Sequence, residues 1–163
     1  VLWWGSAGGN LSALAGTRWE KAKNTDAQVV VDWFGPVYFS RMDAEFAALG
    51  ITPKMGTTSA ATSAESKYLG KTVGTPEAEE LVKAASPETY ISSDDPAFYI
   101  QHGTADTNIP LTQSEDLAKK LTETLGTDKV MFEKIEWAGH GGDQFHTTEN
   151  LDKVFAFIEK HLK

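Results

Sequence analysis

Four short segments, residues 1–4, 28–33, 97–102 and 130–137, are rich in β-branched and aromatic residues, and helical patterns separate them. Short apolar runs of this kind suit strands covered on both faces, whereas apolar residues three and four apart suit helices that cover them. Strand alternating with helix predicts an α/β fold: a parallel sheet with helices on both faces. Helices are predicted over residues 9–21, over 113–125 with Leu117, Leu121 and Leu125 on one face, and over 148–161. In the last, Leu151, Val154, Phe155 and Ile158 recur at intervals of three and four, with Thr147 or Thr148 as the cap. Sheets of this type gather ligands at the carboxyl ends of their strands, so residues just after each strand carry the functional interest.

The rhythm breaks once. Residues 36–96 contain no clear strand and read as a lid-like insertion. Helices are expected within it at 43–49 and at 76–85, the second opening on Pro76 with glutamates in its first turn. Residues 57–63 are small and polar and read as loop. The whole chain, 1–163, is expected to form one domain around a single core.

Charge and composition exclude several classes of partner. A net charge of -8 without basic clusters argues against nucleic acid and anionic membrane surfaces, and favours a neutral small molecule. No apolar run approaches the ~18 residues of a membrane span, and no charged-then-apolar leader is present. The sequence opens inside an apolar stretch, which leads us to expect further chain upstream. The absence of cysteine excludes disulfides, thiolate metal sites and a Cys nucleophile, and leaves cytoplasm, periplasm and exterior all open.

Three residues fall where chemistry is expected. Ser6 sits at the apex of Trp4-Gly5-Ser6-Ala7-Gly8-Gly9, between the first strand and a helix. A serine on such a turn stands clear of the sheet, and the N–H of Ala7 at the helix start can face a developing oxyanion. Asp106 follows the third strand and His140 the fourth, on the glycine-flanked loop Gly139-His140-Gly141-Gly142. Taken singly, each has a plain structural reading: a glycine-rich turn, an Asp in a turn before Pro110, a solvated loop histidine. Together they lie at the ends of successive strands in the order Ser, Asp, His, which suits nucleophile, orienting carboxylate and general base. Asp94 and Asp95 precede the third strand and so lie at its other end. His102 reads as a structural hydrogen-bonding residue. Trp33 and Phe34 are candidates to line a substrate pocket. The set His140, Asp143 and His146 is too weak a signal to predict a metal, and no cofactor is expected.

The phrases Gly5-Ser6-Ala7-Gly8-Gly9-Asn10-Leu11, Trp33-Phe34-Gly35-Pro36, Ala85-Ser86-Pro87, Asp95-Pro96-Ala97-Phe98, His102-Gly103-Thr104-Ala105-Asp106 and Gly139-His140-Gly141 resemble those of bacterial esterase/lipase proteins of the α/β-hydrolase superfamily, in its hormone-sensitive lipase and feruloyl esterase-like branches. The resemblance implies a truncated α/β-hydrolase fold and a serine carboxylesterase acting on short-chain or aromatic acyl esters through an acyl-enzyme. It implies Ser6 as nucleophile, His140 as base, Asp106 as carboxylate and the Ala7 N–H as oxyanion donor. A peptidase of the prolyl oligopeptidase type shares this order of residues. Two features depart from the family. Trp4 stands where the elbow pattern has glycine, and a clash that reorganises the turn is expected there. The family's N-terminal half is missing, with its His-Gly-Gly loop and second oxyanion donor, so the first strand is expected to form an exposed sheet edge through which two chains pair as a homodimer. A catalytically weak or inactive fragment that folds by dimerising is the rival reading.

Overall fold

A computed structural model describes residues 1–18 and 27–162. Four strands, β1 (Leu2–Gly5), β2 (Val29–Trp33), β3 (Ala97–Gly103) and β4 (Val130–Ile135), form one all-parallel sheet in the order β1-β2-β3-β4. The fold class read from the alternation is the one observed. The inner strands β2 and β3 are buried at every position, which is why they read as continuous apolar runs; the outer strands β1 and β4 are only partly covered.

Side-chain alternation divides the core between two faces. Val29, Val31, Trp33 and Tyr99 point to one side and pack against Val154, Phe157 and Ile158 of α6 (Thr148–His161). Val30, Phe98 and Ile100 point to the other, where Ala13 of α1 (Ala7–Thr17) and Leu117 and Leu121 of α5 (Leu111–Leu125) cover them. The leucine face of α5 and the Thr147 cap of α6, whose hydroxyl accepts the Asn150 N–H at 3.2 Å, are as the spacing predicts. Phe155 differs: it is half exposed and turns towards the sheet edge, its ring 5.8 Å from that of Trp3, while Phe157 takes the buried position. Residues 19–21, assigned by sequence to the first helix, lie outside the described residues.

The inserted segment folds on its own small core. Phe39, Met42 and Phe46 meet Val73, Val82, Ala85 and, from the loop after β3, Ile109. It contains α2 (Met42–Leu49), α3 (Ala64–Leu69) and α4 (Pro76–Ala85). The short α3 was not foreseen: it has six residues, too few for a periodic signal, and is set by the Ser63 hydroxyl accepting the Ser66 N–H and by Gly70 at φ 70°. Asn10 of α1 ties the insertion to the sheet, its amide donating to the carbonyls of Pro36 at 2.8 Å and Ala85 at 3.1 Å. Among the described residues no helix is long and apolar enough to cross a membrane.

Candidate active site

Among the described residues, three other than glycine have positive φ: Ser6 (55°), Phe34 (47°) and Trp137 (63°), each within two residues of a strand's carboxyl end. Such backbone costs energy and persists where neighbours fix it. The Ser6 N–H donates to Trp33 O at 2.9 Å, the Phe34 N–H to Gln101 O at 2.9 Å, and the Trp137 N–H to Thr104 Oγ1 at 2.9 Å. Each turn therefore leans on the next strand over, and the three mark one edge of the sheet.

Ser6 ends β1 and precedes α1. Glycine is required around it because helix and sheet nearly touch. A Cβ on Gly9 would lie 2.2 Å from Asp32 Oδ1, and one on Gly8 would lie 2.8 Å from the Trp4 Cβ. This second contact explains how Trp4 is accommodated, and it corrects the expected clash. Trp4 is 70% exposed with its ring in solvent; Gly8, on the helix side of the crossing, provides the room. The turn retains the strand–Ser–helix geometry. As the first residue of α1, Ala7 has an N–H with no acceptor inside the helix.

Around Ser6 the predicted residues converge. The Ser6 hydroxyl lies 2.8 Å from His140 Nε2, and His140 Nδ1 lies 2.8 Å from Asp106 Oδ2. Because Nδ1 faces a carboxylate, it carries the proton and Nε2 accepts from the serine. Asp106 is fully buried, and its Oδ1 accepts the N–H groups of Asn108 at 2.7 Å and Ile109 at 3.0 Å. Burial alone would push its carboxyl up, but hydrogen bonds from His102, His140 and the Ile109 backbone outweigh burial and hold it well below the usual range. It stays ionised wherever the protein is folded at ordinary pH.

The loop carrying His140 is pressed against the exit of β3. A Cβ on Gly103 would meet the Ala138 and Gly139 carbonyl oxygens at 2.3 and 2.4 Å, and the Ala105 N–H donates to Ala138 O at 2.9 Å. Gly141 and Gly142 then turn the chain at φ 89° and 118°. The imidazole of His140 also rests on the Phe34 ring, 4.7 Å between centroids.

Trp33 and Phe34, expected to line a pocket, are placed in the core. Trp33 shares the inner face with Val31 and packs on Trp3, Phe145 and His146; Phe34 turns under His140 and against Phe145. A cleft of ≈ 150 Å³ that Ala7 helps to line is walled instead by Leu11, Pro36, Phe39, Glu65 and Tyr68, among others. Leu11 could have been found in the sequence, since it lies one helical turn after Ala7; Glu65 and Tyr68 come from the unforeseen α3. Among the described residues no cluster of three His, Asp or Glu could hold a metal ion. Asp95 caps the turn before β3, accepting from the Ser92 N–H and hydroxyl at the opposite end of the sheet.

Asp32 is a further buried carboxylate. It lies on β2 beneath the elbow, with Oδ1 accepting the Gly35 N–H at 3.0 Å and Oδ2 without a partner. Burial pushes its carboxyl up to about 6, against the pull of the Gly35 hydrogen bond and of His102.

The BD-FAE family model matches residues 1–121. No protein of curated function matches the chain. Among solved structures, a bifunctional GH43-CE protein of Bacteroides eggerthii is 25% identical at a TM-score of 0.75, the match covering 98% of this chain and 21% of that one. A truncated carbohydrate esterase from gut microbiota is 27% identical at a TM-score of 0.70, covering 99% of this chain and 59% of that one. Esterase 2 of Thermogutta terrifontis, phosphorylated by paraoxon, shares the fold at 20% identity and a TM-score of 0.61, covering 97% and 52%. The chain thus spans between 21% and 59% of the length of these proteins.

Proposed function

Since the chain belongs to the BD-FAE family, a family of α/β-hydrolase esterases, we propose that it is a serine carboxylic ester hydrolase for short-chain or aromatic acyl esters, with Ser6 as nucleophile, His140 as general base and acid, and Asp106 as orienting carboxylate. The observation that carries the reading is the unbroken relay from Ser6 Oγ to His140 Nε2 and from His140 Nδ1 to Asp106 Oδ2, both at 2.8 Å. In this reading His140 takes the Ser6 proton as Oγ attacks the ester carbonyl. The oxyanion of the tetrahedral intermediate faces the Ala7 N–H at the positive end of α1. Collapse breaks the bond to the alcohol, which leaves with the proton held by His140. Water, activated by the same imidazole, then attacks the acyl-Ser6 ester and releases the acid.

The cleft supports an apolar or aromatic acyl group, because Leu11, Pro36, Phe39 and Tyr68 line it next to Ala7. The similarity to a carbohydrate esterase supports a sugar hydroxyl as the alcohol. Among the described residues β1 pairs with β2 alone, and with Val1 and the Trp4 ring exposed this supports pairing of two copies along that strand, which sedimentation velocity tests directly: a monomer at all concentrations refutes it.

Hydrolysis of p-nitrophenyl acetate and butyrate by the wild-type chain beside Ser6→Ala tests the enzyme reading. Ser6→Ala is expected to remove turnover to within background, a loss on the order of 10⁵-fold or more. Equal rates in the two proteins would sink the proposal.

A further inference from the structure

Asp106 touches two imidazoles, and only one of them faces Ser6. His140 Nδ1 reaches Oδ2 at 2.8 Å, and His102 Nε2 lies 3.2 Å from the same oxygen. His102 is fully buried near the end of β3, with Nδ1 2.7 Å from Ser114 Oγ on α5 and Nε2 3.0 Å from Ile109 O. The chemistry of these neighbours assigns the ring's protons. Nε2 faces a carbonyl and a carboxylate, both acceptors, so it carries a hydrogen; Nδ1 faces a hydroxyl that can donate to it. The two acceptors at Nε2 thereby favour the Nε2–H form, with Ile109 O 3.0 Å and Asp106 Oδ2 3.2 Å from that nitrogen, and Ser114 satisfies Nδ1 and holds the ring in place.

We propose that His102 is a positioning residue for the reaction: it fixes Asp106 Oδ2 opposite His140 and draws off part of the carboxylate's charge. This rests on the reading of Ser6, His140 and Asp106 given above. With Asn108 and Ile109 on Oδ1 and the two imidazoles on Oδ2, four donors meet the roughly four lone-pair sites of a carboxylate. Without the His102 N–H, Oδ2 keeps His140 alone. Two consequences follow, each with a direction. The carboxylate's charge falls more fully on His140, favouring its protonated form, so the acid limb of kcat/KM moves to higher pH and the His140 Nδ1–H resonance moves downfield. Oδ2 also loses a lateral restraint, so kcat falls while KM stays, because His102 is not among the residues lining the cleft. Asp32 on β2, on the same sheet face, also acts electrostatically on His102 and is left unchanged in the variants.

The test compares wild type with His102→Leu, His102→Gln and Ser114→Ala, each checked for folding by circular dichroism. His102→Leu is expected to lower kcat about 10- to 100-fold at constant KM and to move the acid limb to higher pH. His102→Gln, whose amide N–H can stand near Nε2, is expected to remain within about 5-fold of wild type, with Ser114→Ala in between. A folded His102→Leu with wild-type kcat and acid limb overturns the proposal, as does a His102→Gln as impaired as His102→Leu, since packing alone would then explain both. Should His102→Leu fail to fold, Ser114→Ala decides: unchanged kcat and pH profile overturn it. If wild type shows no turnover dependent on Ser6, the esterase reading falls separately, and the His140 Nδ1–H resonance of the resting protein decides for His102, a downfield move supporting it and an unmoved line overturning it.

Discussion

Replacing Asp32 by Asn removes a charge that the fold is built to disfavour. The carboxyl titrates at 3.8 in an unstructured chain and is pushed up to about 6 in the folded one. Between those values the native state binds the proton more tightly than the unfolded state, so this group's contribution weakens as pH rises from 4 to 6 and stays low above that. At about 1.4 kcal/mol per pH unit the loss approaches a ceiling of about 3 kcal/mol, and relaxation around the site reduces it to about 1–3 kcal/mol. Asn has the same shape, and its oxygen can still accept the Gly35 N–H. Urea unfolding of both proteins at pH 4.5, 6 and 8 gives the difference directly, with all other titrating groups cancelling. Because about a third of the effect is already present at pH 4.5, Asp32→Asn should gain a further amount of about 1–2 kcal/mol on wild type between pH 4.5 and pH 8. A difference that does not change with pH, or a variant less stable at pH 8, refutes the reasoning.

Two substitutions examine the scaffold. Gly103→Ala places a Cβ 2.3 Å from Ala138 O, and must push away the loop that bears His140; a stability loss of about 2–4 kcal/mol in urea and a drop in kcat on the order of 10²-fold are expected. Trp4→Ala removes a ring that is 70% exposed, so the urea midpoint should correspond to a change of less than about 1 kcal/mol and ester hydrolysis should remain within about 3-fold.

Much of this architecture is legible in the chain because β2 and β3 are covered on both faces and therefore announce themselves as apolar runs, and because the functional loops follow strands in order. What is not legible depends on which way a side chain turns. Trp33 could be assigned to a strand end, but alternation with Val29 and Val31 sends it inward, and the positive φ of Phe34 carries that ring under His140 rather than towards the cleft. The pattern around Ser6 flags Trp4 as an intruder, yet two neighbours decide the matter: solvent on one side and Gly8 on the other. The cleft is lined partly from α3, whose six residues give no periodicity to read. His102 reads correctly as a hydrogen-bonding residue, but its partners, Asp106 and Ser114, lie on two different elements and only the fold brings them together.

The strand order has a kinetic side. Ser6 and His140 are 134 residues apart and meet only across a sheet laid down strand by strand in chain order. Closing so long a loop is slow and comes after local helices have formed. During synthesis, α1 can form soon after Ser6 emerges, but the serine has no base beside it until β4 and the loop beyond have been made and docked. Recovery of Ser6 reactivity after dilution from denaturant would accordingly lag behind recovery of helical signal, reporting the moment at which the last strand is seated.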